Sequence, residues 1–172
     1  TGDAVDFGDL TGGTNSGLIA NSTTRGLIGG ISNGTNTIDF ITIRTTGNAT
    51  DFGDMTTGRS GGAVGPLCNA TRGIFVAGYS GGDLNVLDFV TIATKANAQD
   101  FGDLAVIAAS QTGAASSPTR GVIMGGIGGS PRTGQNVSQK IEILSTGNTV
   151  DFGDITTARS AGGGISNAHG GL

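Results

Sequence analysis

The tetrapeptide Asp-Phe-Gly-Asp occurs four times in this chain of 172 residues, and its recurrence limits the fold more than any other feature. The copies begin at Asp6, Asp51, Asp100 and Asp151, so they lie 45, 49 and 51 residues apart. A period of this length is typical of propeller blades, whereas solenoid repeats are often shorter. A protein kinase has one Asp-Phe-Gly triplet, together with catalytic-loop and strand-lysine motifs that this chain lacks. The motif is therefore interpreted as one element of a repeat.

Each repeat contains four short segments of strand composition. The first is small and glycine-rich, at 16–22, 61–69, 108–117 and 160–167. The second is an unbroken apolar run, which indicates a strand buried on both faces, at 24–31, 71–79 and 119–127. The third alternates apolar and polar residues, which indicates one exposed face, at 37–43, 85–92 and 138–144. The fourth segment carries the repeated motif and follows a turn-prone stretch.

These segments predict an all-β chain, a β-propeller-like array of four-stranded antiparallel blades with no helix longer than about two turns. The chain is predicted to be one repeat domain, with complete units at 12–54, 55–103 and 104–154 and partial units at 1–11 and 155–172. Glycine occupies 34 positions and charged residues 13%, which favours turn-rich β structure over disorder. Closed propellers have about 4 to 8 blades, so these units form either a small imperfect ring or part of a longer array.

The repeat resembles two kinds of known repeat. The double glycines Gly29-Gly30 and Gly125-Gly126 after an apolar strand resemble the kelch repeat, although the chain has no tryptophan. The whole unit runs from T-R-G-[LIV] through [IL]-D-F-[IV]-T-I to A-T-D-F-G-D-[LM]-T. It looks more like repeats in predicted tail and fibre proteins of marine bacteriophages, especially phages of cyanobacteria. This likeness covers almost all of the chain and implies a virion or filament component.

Two classes of function are considered. The first is a non-enzymatic structural or adhesive protein, a phage tail, fibre or extracellular filament component that assembles head-to-tail with other copies of itself. The alternative is a secreted lectin-like propeller that binds cell-surface glycans as a discrete module. Both imply an extracellular or virion location. An enzyme is not expected, because no catalytic constellation breaks the repeat symmetry and His169 is the only histidine.

Charge and hydropathy argue against two kinds of partner. The net charge is −4 and no cluster of Lys and Arg is present, so nucleic acid is not an expected partner. No apolar run approaches the ~20 residues that cross a bilayer, so no membrane span is expected. Cys68 is the only cysteine, which excludes a disulfide within the chain and suggests a small buried residue. No cofactor is expected.

The aspartates of the motif are the candidate metal ligands. They are Asp6, Asp9, Asp51, Asp54, Asp100, Asp103, Asp151 and Asp154. Each pair could offer calcium its oxygen ligands, but an EF-hand loop supplies more of them over a longer stretch. The favoured interpretation is structural, with aspartates that accept backbone N–H bonds and glycines that allow turns or bulges. The phenylalanines would then anchor the blade cores, at Phe7, Phe52, Phe101 and Phe152.

Two sets of arginines also recur. Arg25, Arg72 and Arg120 occupy the same place in T-R-G, and they are predicted to form ion pairs with the repeated aspartates. The other interpretation is a ring of arginines that captures an anionic glycan. Arg59 and Arg159 form a second set for which the sequence suggests no partner.

Five N-x-[S/T] sequons are possible glycosylation positions if the chain is exported. They are Asn21, Asn33, Asn48, Asn69 and Asn136.

The partial units at the two ends are predicted to present unpaired backbone groups, which must be covered. Neighbouring copies would cover them in a head-to-tail contact that does not close, or the two ends would pair and close a ring. In the first case, deletion of residues 1 to 11 should abolish assembly.

Overall fold

A computed structural model describes residues 2–14, 16–63, 65–108, 110, 112–160 and 162–164, without the side chains of residues 32 and 33. In these ranges the chain forms thirteen strands in three antiparallel sheets. The only helix among the described residues is a single turn, α1 (Ile31–Gly34). The predicted all-β class with antiparallel sheets is therefore confirmed.

Consecutive segments form each sheet. The first sheet has the order β1 (Leu18–Asn21), β2 (Arg25–Gly29), β3 (Thr37–Thr42) and β4 (Thr50–Asp54). The second has the order β5 (Leu67–Cys68), β6 (Arg72–Tyr79), β7 (Asp83–Thr91) and β8 (Gln99–Asp103). The third contains β9 (Gly113–Ser116), β10 (Arg120–Met124), β11 (Ile127–Gly128), β12 (Thr133–Glu142) and β13 (Val150–Arg159). In the third sheet β12 pairs with β10, β11 and β13, and β10 pairs with β9.

One polar side chain closes the turn between the first two strands of each sheet. Ser22, Asn69 and Ser117 each accept a hydrogen bond from the backbone N–H of the arginine three residues later, at 3.2, 2.8 and 3.0 Å. Bonds from Ser and Asn side chains to nearby backbone are typical of such turns. The turn therefore fixes the T-R-G arginine at the start of the second strand.

The hydrophobic core extends between sheets. One cluster joins Leu27 and Ile38 of the first sheet to Phe75 of the second, and another joins Leu87 of the second sheet to Ile141 of the third. The first strands of successive units are neighbours, because β1 lies against β5 and β5 lies against β9. The sheets remain separate, and no closed sheet forms among the described residues.

Several predicted segments differ from the observed strands. Residues 4–11, predicted to be a fourth strand, form none. The second strand predicted at 24–31 ends at Gly29, because Gly30 has a left-handed φ of 74° and α1 follows it. The last strand, β13, continues past the motif to Arg159. Of the first-strand segment predicted at 160–167, only 160 and 162–164 lie within the described residues.

Candidate functional site

The second copy of the repeated motif docks onto the turn that precedes the fourth strand of the next unit. The carbonyl of Asp54 accepts a hydrogen bond from the N–H of Ala98 at 2.8 Å, and the N–H of Asp54 donates to Asn97 Oδ1 at 3.1 Å. Gly53 has a φ of 147°, and a Cβ atom there would lie 2.5 Å from the Ala96 carbonyl oxygen. Only glycine allows this conformation and this approach. The motif is therefore a docking element, and we call its contact with the turn the junction.

The first and third copies make the same junction. The bonded residues are Asp9 with Asn48 (3.0 Å) and Ala49 (2.8 Å), and Asp103 with Asn148 (3.0 Å) and Thr149 (2.9 Å). The first copy docks in this way although it lies in no strand, and its Phe7 is half-buried. The prediction that the first partial unit leaves its backbone unpaired is therefore wrong for Asp9, because the first complete unit covers it.

The fourth copy, at residues 151–154, meets no such turn among the described residues. Phe152 is 51% exposed, whereas Phe52 and Phe101 are each 2% exposed. A Cβ atom added at Gly153 would meet nothing within 4 Å. The prediction that Phe152 anchors a core is therefore wrong. Phe52 and Phe101 are buried because a following unit covers each ring, and no described residues cover Phe152 in this way.

The carboxylates of the motif shape its backbone. Oδ1 of Asp6, Asp100 and Asp151 accepts the N–H of the glycine two residues later, at 3.1, 3.1 and 3.2 Å. This bond is typical of an Asx turn. Among the residues that the structure describes, no three His, Cys, Asp or Glu side chains come together in a group that could hold a metal.

A buried aspartate in the third strand receives the segment that follows the motif. Asp88 accepts hydrogen bonds from Thr56 N–H at 3.1 Å and Thr56 Oγ1 at 2.6 Å, and from Arg59 Nη1 at 2.7 Å. Asp39, in the preceding unit, accepts from Thr11 N–H at 2.7 Å and Thr11 Oγ1 at 2.8 Å. We call these the crossing segments, residues 10–14 and 55–59, because each passes from a motif into the interior of the next unit.

Arg59 and Asp88 form a fully buried ion pair. The other guanidinium nitrogen, Nη2, donates to the Phe75 carbonyl at 3.2 Å. The sequence suggested no partner for Arg59, but comparison of the units offers a signal. In the third unit the arginine position is Ala108 and the aspartate position is Gln139, so both charges are replaced together.

The T-R-G arginines contact the next unit through carbonyl oxygens. Arg25 Nη1 donates to the carbonyl of Ile92 at 2.9 Å, and Arg72 Nη1 donates to the carbonyl of Ile143 at 2.8 Å. Each guanidinium also lies over a ring of its own sheet, at 5.0 Å from Phe40 and 4.3 Å from Phe89. The predicted ion pairs with the motif are therefore wrong, because these side chains reach the end of a third strand instead.

Arg120 has no such carbonyl among the described residues. Its Nε lies 3.4 Å from Glu142 Oε1 of its own sheet, and both side chains are exposed, so the predicted pairing with the motif is wrong here too. At the opposite end of the array, Ile43 is 43% exposed, while the corresponding Ile92 and Ile143 are 1% and 0% exposed. The two ends therefore expose opposite halves of this contact.

A cleft of about 770 Å³ lies between the second and third units. Arg132 pairs with Asp83 at 2.7 Å, and its guanidinium carbon lies 5.1 Å from the centre of the Tyr79 ring. The hydrogen bond that Arg132 donates to Asp83 raises the pKa of Arg132. Val106 and Ile107 add exposed apolar surface. The repeat pattern did not predict this cleft, because its polar residues come from hairpins that differ between units.

The sequon asparagines lie in different environments. Asn48 and Asn136 are exposed and Asn21 is half-buried, while the side chain of Asn33 lies outside the described residues. Asn69 is buried, and its side-chain oxygen accepts three hydrogen bonds within its turn. Asn69 thus has a structural role in the fold.

The structure describes the environment of the single cysteine but not that of the single histidine. Cys68 is buried, as predicted, and this burial raises the pKa of its thiol. His169 lies outside the described residues.

The sequence matches no protein-family model and no curated protein. Within the described ranges, no helix has the length and apolar character needed to cross a bilayer.

Proposed function

We propose that this chain is a non-enzymatic structural and adhesive repeat protein that assembles head-to-tail with other copies of itself. The observation that carries the proposal is the exposed fourth motif with Phe152 at one end, opposite exposed Ile43 at the other. Inside the chain, the corresponding groups of neighbouring units bury each other. A contact between unlike ends that does not close produces a filament.

The proposal includes a β-propeller-like arrangement of the units. Four-stranded antiparallel units that cover one another face to face are typical of propeller blades. The neighbouring first strands, β1, β5 and β9, are the inner strands of such an arrangement.

The proposed setting is a virion or an extracellular filament. The resemblance to tail and fibre proteins of marine bacteriophages supports it. The junctions also support a structural role, because their polar groups bond to one another and need no ligand.

Association of the purified full chain tests this proposal. Light scattering should give masses that rise with concentration above the 16.8 kDa monomer, with elongated particles in electron micrographs. The variant Phe152→Glu should reduce association and leave the circular-dichroism spectrum unchanged, because this ring is exposed in the single chain. A wild-type chain that stays at 16.8 kDa at all concentrations would contradict the proposal.

A second candidate function is glycan binding in the cleft. Ligand sites commonly combine apolar and aromatic walls with a few well-placed polar groups. Tyr79, Val106 and Ile107 supply the apolar surface, and the paired Arg132 and Asp83 supply donors and acceptors for hydroxyl groups.

Binding to an array of cell-surface glycans tests this second function. Tyr79→Ala and Arg132→Ala should each remove the binding shown by the wild-type chain. Arg120→Ala is the matched control, because Arg120 is also exposed and ion-paired but does not line the cleft. Binding that survives both cleft substitutions, or no binding to any glycan, would reject the cleft as the site.

A further inference from the structure

We propose that residues 155–159 of one copy, which correspond to the crossing segment 55–59, enter the first unit of the next copy and pair Arg159 with Asp39. This inference rests on the proposed head-to-tail assembly and names its central contact. The incoming motif and the segment after it replace residues 6–14 of the receiving copy, which occupy the same place within their own chain.

The internal junction between the first two units is the template. The sequence around its crossing segment reads DMTTGRS at 54–60, and the corresponding sequence after the fourth motif reads DITTARS at 154–160. In the template, Thr56 and Arg59 reach the buried Asp88. Arg159 stands five residues after the last aspartate of its motif, as Arg59 does. The fourth motif therefore carries the residues that bind a buried aspartate in a following unit.

Asp39 is the acceptor that fits this segment. The corresponding positions are Asp39, Asp88 and Gln139, and Asp88 is already paired with Arg59. Asp39 is fully buried, and no Lys or Arg among the described residues forms an ion pair with it. A buried carboxylate without a cation is costly.

The residue at the arginine position of the first crossing segment is Thr14. Its Oγ1 is buried and has no hydrogen-bond partner. Thr14 also brings no positive charge to Asp39, whereas Arg59 forms an ion pair with Asp88. An arginine from another copy would supply the missing positive charge.

The donor segment is available in the single chain. Arg159 is exposed, and within the described part of the chain its side chain bonds only to the nearby Thr157 carbonyl, at 3.3 Å. Here the segment folds back on its own sheet, where the Arg159 carbonyl accepts from Gly126 at 3.0 Å. In the internal copies the same segment leaves its sheet, and Met55 and Leu104 become buried, whereas Ile155 is half-buried.

The remaining contacts of the template form once the first motif of the receiving copy has left the turn at residues 47–49, where Phe7 and Asp9 bond to it in the single chain. Arg120 would donate to the carbonyl of Ile43, as Arg25 and Arg72 do to their acceptors in the following unit. Phe152 would lie against exposed Ile43 and the turn at residues 47–49. One orientation of the two copies therefore forms three contacts, which are made by Arg159, Arg120 and Phe152 of the first copy.

Cysteine cross-linking tests the register of this contact. In a Cys68→Ala background, a chain with Asp154→Cys is mixed with a chain that carries Asn48→Cys. We expect a disulfide-linked dimer of the two chains under mild oxidation, in several-fold excess over either chain oxidised alone. The matched control is Asp54→Cys with Asn97→Cys in one chain, where the same two positions meet at an internal junction. Formation of the internal bond without the intermolecular one would overturn the proposal.

Arg159→Gln tests the ion pair in the full chain. Association should weaken at least about tenfold, because a buried charge loses its partner, while the unfolding midpoint of the monomer stays unchanged. The control is Arg44→Gln, which removes another exposed arginine and should leave association unaltered. Thr11→Val should strengthen association, because it removes the bonds from Thr11 Oγ1 that hold the competing segment at Asp39.

The outcomes separate this contact from the proposed assembly. Assembly that neither responds to Arg159→Gln nor yields the cross-link overturns the contact and leaves head-to-tail assembly standing. If the wild-type chain and the Thr11→Val variant both remain monomeric, the Arg159 contact and the head-to-tail assembly are both overturned. The sequence predicts that deletion of residues 1 to 11 abolishes assembly. The proposed exchange predicts the opposite, because this deletion would open the acceptor site at Asp39.

Discussion

Replacement of Phe52 by alanine is expected to lower the free energy of unfolding by about 3 to 5 kcal/mol. The ring is 2% exposed, packs edge-to-face on Phe40 at 6.0 Å and belongs to the core shared by the first two sheets. Phe101→Ala should cost a similar amount, because Phe101 packs on Phe89 in the same way at the next junction. Denaturant unfolding followed by circular dichroism measures both losses.

Phe152→Ala is the matched control for this prediction. Phe152 stands at the same place in the motif, but its ring is 51% exposed, so its loss should cost less than about 1 kcal/mol in the monomer. Equal losses at Phe52 and Phe152 would contradict the claim that a following unit buries this ring. Losses below about 1 kcal/mol at both Phe52 and Phe101 would reject their role as anchors.

Arg59→Met is expected to lower the free energy of unfolding by about 3 to 5 kcal/mol, because it leaves a buried charge without a partner. Asp88 and Arg59 are both fully buried, and their 2.7 Å contact joins the crossing segment 55–59 to strand β7. The same denaturant titration measures the loss.

Two further variants show whether the missing partner causes that loss. Arg159→Met, at the same motif position but exposed, should change the stability of the monomer by no more than about 0.5 kcal/mol. The double variant Arg59→Met with Asp88→Leu should recover part of the loss, because it removes both charges. A double variant as unstable as the sum of its single variants would contradict a direct pairing.

The strands were predictable because local patterns specify them. The continuous apolar run that contains Phe75 and Val76 became the buried strand β6. The T-R-G arginine marked the start of the second strand in every unit, since a polar side chain three residues earlier closes the turn. Patterns of this kind depend on neighbours in the sequence.

The junction partners were not predictable from those patterns. Arg59 and Asp88 are 29 residues apart, and they meet because a crossing segment leaves one sheet and enters the next unit. No local period identifies the segment that crosses. Phe152 was predicted to be buried by analogy with Phe52, but exposure of this ring depends on whether another unit follows it.

The cleft escaped prediction for a different reason. Tyr79 and Asp83 lie at the connection between β6 and β7, and Arg132 precedes β12. The corresponding connection of the first unit instead contains the helix α1. A repeat pattern describes what the units share, so it gives no information on a site formed where they differ.

A density map of the assembled protein at side-chain resolution tests the central claim most directly. The account predicts that every contact between copies repeats the internal junction, with Arg159 of one copy against Asp39 of the next. It also predicts that Phe152 is buried beneath the turn at residues 47–49 of that neighbour. A map in which Arg159 remains in solvent and the copies meet through other surfaces would contradict the account. A map in which the third unit packs against the first unit of the same chain and closes a ring would also contradict it.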